Sequence, residues 1–115
     1  MSPKITHAKN VQQKSRTHRV RQIRPNWYQV FDPATGQKYD VALGKNGGTC
    51  SCPWGQHRPA RDHRSGCSHV IAAMAYRAAR QGLRISVWNS RRAARRQHRP
   101  MLDIGDGLIL TRRHD

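Results

Sequence analysis

The chain has 115 residues, with 22 Lys and Arg against six Asp and no Glu, so its formal charge is +16. This length suits one small domain with a tail, and such a charge predicts a polyanionic partner, most commonly nucleic acid. An acidic membrane surface is the competing partner. However, the sequence has no apolar run near 18 residues, no amphipathic helix with a bulky apolar face and no secretory signal. We therefore expect no membrane partner.

The first 24 residues are basic and contain no acidic residue. Apolar residues are sparse in this segment until Val20 and Ile23. Two interpretations are open, a basic arm that lies along phosphates and a solvated tail that aids solubility. We favour a flexible basic arm. Its last part, Arg19–Arg24, alternates in a way that would also suit a strand.

Aromatic and β-branched residues predict a β-hairpin after this arm. Trp27–Phe31 forms the first strand, Asp32–Gly36 the turn and Lys38–Leu43 the returning strand. In the returning strand, Tyr39, Val41 and Leu43 share one face at a period of two. A short third strand covers residues 49–52 and ends at a proline.

The second half of the chain begins with a loop, residues 53–66, which is rich in Pro and Gly. An Ala-rich helix follows over Cys67–Gln81, with Gly82 as its C-terminal cap. Further elements are a strand at Leu83–Trp88, a short helix from Arg91 to about Gln97 and a terminal hairpin over residues 101–111.

Three cysteines and one histidine are spaced as Cys-Ser-Cys, 14 residues, then Cys-Ser-His, at Cys50, Cys52, Cys67 and His69. The odd number of cysteines argues against a closed disulfide set. Three thiolates and one imidazole complete a tetrahedral Zn²⁺ site without an open position, which is typical of a structural zinc. Residues i and i+2 of a strand project to one face, and a helix N-terminus favours thiolates. We predict one structural zinc, which would stabilise a chain that is only 36% hydrophobic.

Alternatives to this site remain open at the sequence level. His57 and His63 lie between the two ligand pairs and could replace His69 as the fourth ligand. The cysteines could instead be small buried side chains. Cys–His nucleophilic catalysis is a third possibility, but the sequence shows no third catalytic member and no oxyanion donor.

These motifs together resemble the SWIM-type zinc finger, over roughly residues 27–82. Cys50, Cys52, Cys67 and His69 match the four ligands of that family, Trp27–Val30 and Tyr39–Val41 match its hairpin, and Val70–Ala73 matches the start of its helix. The resemblance implies a ββα fold and a role in DNA binding or protein–protein contact, often beside a helicase, recombinase or transposase. The basic, His-bearing spacer departs from the family pattern.

Arginine clusters are the candidate contacts for nucleic acid. Four arginines lie within six residues of the short helix, where like charges at i, i+4 repel one another unless an anion is bound. Trp54 in the spacer could pack on the zinc cluster or stack on a base, and we favour packing. We expect Trp27 and Trp88 in the core. The predicted nucleic-acid contacts are Arg58, Arg61, Arg64, Arg77, Arg80, Arg91, Arg92, Arg95, Arg96 and Arg99.

The predicted fold class is α+β. It is a zinc-stabilised ββα finger, with a three-stranded antiparallel hairpin and an Ala-rich helix, followed by a C-terminal strand–short helix–hairpin extension. The predicted divisions are a flexible arm (1–24), the finger (25–82) and the extension packed on it (83–115).

The predicted function is zinc-dependent binding of nucleic acid, with DNA favoured over RNA, as a regulator or accessory factor in DNA transactions. An adaptor or RNA-binding module that docks on a larger complex is the alternative. We expect no enzymatic activity and no small-molecule substrate. Reduced, metal-ready thiols indicate a cytoplasmic protein, associated with the nucleoid if the source is prokaryotic.

Overall fold

The computed structural model describes residues 4–45, 47–52, 66–105 and 107–114, with side chains from residue 8 onward. Its helices and strands form an α+β arrangement with two antiparallel sheets, as the predicted fold class requires. The helices are α1 (Lys4–Ser15), α2 (Ser68–Ala79) and α3 (Arg91–Arg95). The strands are β1 (Arg19–Arg24), β2 (Trp27–Asp32), β3 (Gln37–Gly44), β4 (Gly47–Cys50), β5 (Leu83–Trp88), β6 (Met101–Gly105) and β7 (Leu108–His114).

The first sheet is antiparallel and has the order β1-β2-β3-β4. The three predicted strands are present, but β1 adds a fourth, because Arg19–Arg24 pairs with β2 along most of its length. Alternate residues of β2 and β3, including Tyr28, Val30 and Val41, are buried on one face. The helix α2 contacts all four strands and covers this face.

The flexible arm predicted for residues 1–24 is wrong over the residues that the structure describes. Residues 4–15 form α1, which packs on α2 and β5, and Ala8 is fully buried. Polar contacts explain why hydrophobic periodicity missed this helix. The side-chain amide of Gln12 donates to the Ile85 carbonyl over 3.0 Å and accepts from the Val87 amide over 3.1 Å. This side chain occupies the edge of β5 as a neighbouring strand would.

The second sheet has the order β5-β7-β6 and is antiparallel throughout. The C-terminal strand–helix–hairpin extension is thus confirmed, with β7 in the centre. Its buried side chains are aliphatic apart from Thr111, and Ile104, Leu108 and Leu110 are almost fully excluded from solvent. The short α3 packs on this sheet through Ala94, and its N-cap Ser90 Oγ accepts a hydrogen bond from the Ala93 amide over 3.1 Å.

One hydrophobic core joins the two sheets through α2, whose side chains Val70, Ile71 and Met74 are buried. Gly48 of β4 lies directly beneath this helix. A Cβ at Gly48 would meet Leu43 Cδ2 at 2.7 Å and the Ala42 carbonyl oxygen at 2.8 Å. A side chain therefore has no room at this position. None of the helices in the described parts of the chain is long and apolar enough to cross a bilayer.

The structure places Trp27 differently from our prediction of a core residue. Its side chain is 43% exposed, because the inward phase of β2 belongs to Tyr28 and Val30. Trp88 is half-buried and donates its indole N–H to Thr111 Oγ1 over 3.0 Å. The ammonium group of Lys9 lies 3.6 Å from the centroid of the Trp88 ring. Trp54 lies outside the described residues.

Candidate metal centre

Two structural elements bring the four predicted ligands together. Cys50 is the last residue of β4, and Cys52 follows two positions later. Cys67 is the N-cap of α2, with extended backbone angles, and its carbonyl accepts the first helical hydrogen bond from Ile71. His69 lies in the first turn of α2. The spacing of the two ligand pairs therefore reflects a strand end opposite a helix start.

The donor atoms of the four residues all lie within 4.8 Å of one another. Cys67 Sγ and His69 Nδ1 are 3.8 Å apart, and the Cys52 amide donates to Cys50 Sγ over 3.4 Å. With zinc–ligand bonds of about 2.0–2.3 Å, the edges of a regular tetrahedron measure about 3.5–3.8 Å. The observed separations fit one Zn²⁺ after contraction of no more than about 1 Å.

Burial and mutual interaction change the proton affinities of these ligands. Hydrogen bonds with Cys52 and Cys67, together with burial, raise the pKa of the Cys50 thiol above its ordinary value. Burial lowers the pKa of His69, but hydrogen bonding to the Cys52 and Cys67 sulfurs, and their charge, outweigh burial and raise it to about 9. Protons therefore occupy the centre when metal does not, and Zn²⁺ must displace them because it binds thiolate and neutral imidazole.

The imidazole of His69 is held between two other rings. His18 stacks on it with a centroid distance of 4.8 Å and an interplanar angle of 21°. Tyr39 of β3 lies 4.4 Å from it, tilted by 40°. His18 is fixed in turn by a hydrogen bond of 2.9 Å between its Nε2 and Ser68 Oγ. The ring that binds the metal through Nδ1 therefore has little freedom to rotate.

A second group of ligand-type side chains adjoins the first and consists of His18, Asp32 and His69, again within 4.8 Å. His18 Nδ1 lies 3.9 Å from Asp32 Oδ1, and both side chains are buried. His69 Nε2 is buried without a hydrogen-bond partner in the described structure. Metal-bound histidines commonly direct the second ring nitrogen toward a carboxylate. We therefore regard Asp32 and His18 as the outer shell of the zinc site.

Neither His18 nor Asp32 was predicted from the sequence to lie at the site. One signal was present for Asp32, which is in phase with the inward Tyr28 and Val30 on β2. A buried carboxylate on the core face of a strand indicates a paired or functional group. No signal was present for His18, because it is 51 residues away from His69 in the chain and its contact depends on the fold.

The structure separates the predicted nucleic-acid contacts into groups. Arg77 of α2 is half-buried and donates to Asn26 Oδ1 over 3.2 Å, and Arg80 lies 5.7 Å from the Tyr76 ring centroid. The arginines of α3 and its C-terminal flank are all exposed, namely Arg91, Arg92, Arg95, Arg96 and Arg99. Arg58, Arg61 and Arg64, like the alternative ligands His57 and His63, lie outside the described residues.

Comparison with known families agrees with this geometry. The family profile of the SWIM zinc finger matches residues 39–78, a segment that holds all four ligands. No curated protein and no solved structure matches the chain significantly. The Cys₃His donor set and the matched segment together confirm the zinc prediction made from ligand spacing. The chain therefore carries a SWIM zinc finger, in which Cys50, Cys52, Cys67 and His69 hold one structural zinc ion.

Proposed function

We propose that this zinc-finger protein binds duplex DNA through the exposed arginines of α3, as a regulator or accessory factor in DNA transactions. The main support for this proposal is that one docked helix exposes four arginines, namely Arg91, Arg92, Arg95 and Arg96. Ala94 is fully buried against the second sheet, so α3 has a fixed position and turns its guanidinium groups outward. No acidic residue occurs between positions 63 and 102.

The arginines of α3 repel one another when no anion is bound. Arg91 and Arg95, and likewise Arg92 and Arg96, are four positions apart, which places like charges on neighbouring turns. A phosphate backbone relieves this repulsion, and the release of condensed counterions adds affinity. Contacts of this kind fix position and affinity on DNA without selecting a base sequence.

We propose further that the zinc site has a structural role and that the protein is not an enzyme. Protein side chains supply four donors, which is the full tetrahedral set, whereas catalytic zinc sites keep one position for water or substrate. The contribution of the zinc finger would be to hold the sheets and helices in place while the basic surfaces bind.

The test is binding to a duplex of about 20 base pairs, measured by fluorescence anisotropy over a range of salt concentrations. If five phosphates are contacted, the plot of log affinity against log salt should have a slope of roughly −4.5. A variant with Gln at Arg91, Arg92, Arg95 and Arg96 should lose most of this slope. A control, called the α1 control, replaces Lys14 in the last turn of α1 and Arg16 just after the helix by Gln.

A loss per charge that is equal in the α1 control and the α3 variant would contradict a binding site on α3. Absence of duplex binding at low salt would contradict the whole proposal. That result would favour an adaptor whose charge meets an acidic protein.

A further inference from the structure

The first sheet has one face that α2 covers and a second face, the open face, that no other described helix or strand covers, and the open face carries two aromatic rings. Trp27 and Phe31 lie on β2 in phase with each other and opposite the inward Tyr28 and Val30. The most exposed large apolar side chains of the described residues are Ile23 (46%) and Trp27 (43%), and both lie where β1 meets β2. A large indole left in water marks a contact surface more than a core.

Basic side chains flank the Phe31 ring on both neighbouring strands. Arg19 of β1 and Lys38 of β3 are its direct cross-strand partners. Directly opposite residues in an antiparallel pair project to the same face, about 5 Å apart. Both basic side chains are exposed. The ring is therefore bordered by positive charge on either side.

The Trp27 ring has a similar neighbour. Arg24 pairs with Trp27 across a bulge in β1, and its guanidinium carbon lies 5.8 Å from the ring centroid. Arg21 is the cross-strand partner of Gln29, which lies between Trp27 and Phe31 on β2. The acidic residue on this face is Asp40 of β3, which is the other cross-strand partner of Gln29. Four basic side chains against one carboxylate give the open face a positive charge.

We propose that this open face binds single-stranded DNA, with bases stacked on Trp27 and Phe31 and phosphates beside the arginines. Stacking rings within a basic surface are the general means of binding single strands, because every base has a π-face. Base faces inside a duplex are already stacked, so the rings select unpaired strands. The two rings are four positions apart on β2, which is about 13 Å, so they take different bases.

The neighbours of the rings favour DNA over RNA. Proteins distinguish RNA through hydrogen bonds to the ribose 2′-hydroxyl. Phe31 has Arg19 and Lys38 beside it, and Trp27 has Arg24 and Ala42. None of these four side chains offers an acceptor for a hydroxyl group. The acceptors on this face, Gln29 and Asp40, lie midway between the two rings, so the direct neighbours of each ring give a ribose hydroxyl no hydrogen-bond partner.

This inference rests on the proposed function in one respect, since both assign the positive charge of the protein to DNA. It adds a second site, on the sheet face and not on α3, and a second form of DNA. The two sites use different residues, so each can be removed separately. A protein with both would suit DNA in which a duplex adjoins an unpaired strand.

The experiment measures binding of a thymidine oligomer of about 15 nucleotides and of a duplex to the zinc-loaded full chain. Trp27→Thr removes the ring and keeps a residue that favours strands. It should weaken oligomer binding about 5- to 100-fold and change duplex binding less than about 2-fold. Trp27→Phe should keep most of the oligomer affinity, because the smaller ring still stacks. Thermal unfolding checks that each variant is folded.

Two further variants test the roles of stacking and of charge on the open face. Ile23→Thr removes the adjacent exposed apolar side chain, which cannot stack, and should leave oligomer affinity unchanged within about 2-fold. An equal loss in Ile23→Thr would show that apolar contact, and not stacking, drives binding. Gln at both Arg19 and Arg21 should reduce the salt slope for the oligomer by about 1.4, at roughly 0.7 per phosphate.

The outcomes separate the two proposals. Duplex binding with no oligomer binding, or oligomer binding that Trp27→Thr leaves unchanged, overturns the single-strand site alone. Oligomer binding that depends on Trp27, without duplex binding, overturns the function proposed for α3 alone. Tighter binding of a uridine oligomer of equal length overturns the assignment to DNA.

Discussion

The two sheets bury different kinds of side chain. The three-stranded sheet β5–β7 buries aliphatic groups such as Leu108 and Leu110, and no metal ligand is found among its described residues. The four-stranded sheet β1–β4, with the start of α2, buries polar groups as well, including Asp32, His18 and His69. A buried polar group costs free energy unless it is bonded. The zinc ion is what compensates this cost on one side of the molecule.

The difference shows where metal is needed in a small chain. Aliphatic packing suffices for the second sheet, since its polar groups are paired between the strands and by side-chain hydrogen bonds with Gln12 and Trp88. The first sheet collects three thiols and an imidazole at one end, where burial and hydrogen bonds among them keep protons on Cys50 and His69 until a cation replaces these protons. Because α2 packs on both sheets, loss of the metal will also destabilise the second sheet.

Removal of the metal should have the largest effect and tests whether the first sheet depends on zinc. Zinc binding to a site of this kind contributes about 10–16 kcal/mol, which matches or exceeds the stability of most domains. Cys50→Ser or a chelator should therefore unfold the protein, as seen by circular dichroism. Ser51→Ala changes the exposed residue between the two ligands and should keep both zinc and fold. A Cys50→Ser protein of full helicity and unchanged melting temperature would contradict a structural zinc.

Competition between protons and zinc at the four ligands can be measured without any mutation. The pKa of His69 is raised to about 9 and that of Cys50 is also raised, so both hold protons below pH 9 when metal is absent. Zinc displaces both protons, so acid weakens binding. Because Zn²⁺ binds all three cysteines as thiolates as well as the neutral imidazole, we expect log zinc affinity to rise by at least about two for each pH unit between pH 6 and 8. A competition titration with a chromophoric chelator measures the slope, and a slope near zero would contradict this proton count.

Packing beneath α2 can be tested at Gly48. Gly48→Ala adds a methyl group within 3 Å of Leu43 and the Ala42 carbonyl, which should cost about 1–3 kcal/mol of unfolding free energy. Gly44→Ala is the matched control in the same hairpin, where the nearest atom is 3.7 Å from the new Cβ. Urea denaturation of the zinc-loaded proteins gives both values. Equal effects at the two glycines would mean that the close approach to Leu43 and Ala42 of β3 does not limit Gly48.

The outer shell should have the smallest effect. Asp32→Asn removes the buried charge near His69 and should lower zinc affinity about 10- to 100-fold, as outer-shell changes generally do. Asp40→Asn removes an exposed carboxylate on β3 and should leave affinity unchanged. Chelator competition at constant pH compares the two. A similar decrease in both variants would indicate a general charge effect and not an outer shell.

Local patterns predicted most of the strands and the metal ligands. Tyr39, Val41 and Leu43 alternate within one strand, and each ligand pair lies within three residues, so neighbours in the sequence decide both features. Trp27 shows how a local pattern can be misjudged. Residue type suggested a core position, but the phase set by Tyr28 and Val30 points the indole outward.

The features missed from the sequence depend on distant contacts. The helix α1 has few apolar residues, and it is held to β5 partly by the amide of Gln12, across more than 70 positions. His18 and Asp32 reach His69 only after β1 has paired with β2. Periodicity measures apolar faces, and it carries no information about a polar side chain bound to a remote backbone.

The amide of Gln12 also has a consequence for self-association. The strand β5 lies at the edge of its sheet, where unpaired backbone groups can add a strand from another molecule. By occupying the Ile85 carbonyl and the Val87 amide, Gln12 closes part of that edge. Proteolytic loss of α1 would therefore do more than shorten the protein. It would expose a strand able to recruit further copies, and so turn a cleaved molecule into a seed for aggregation.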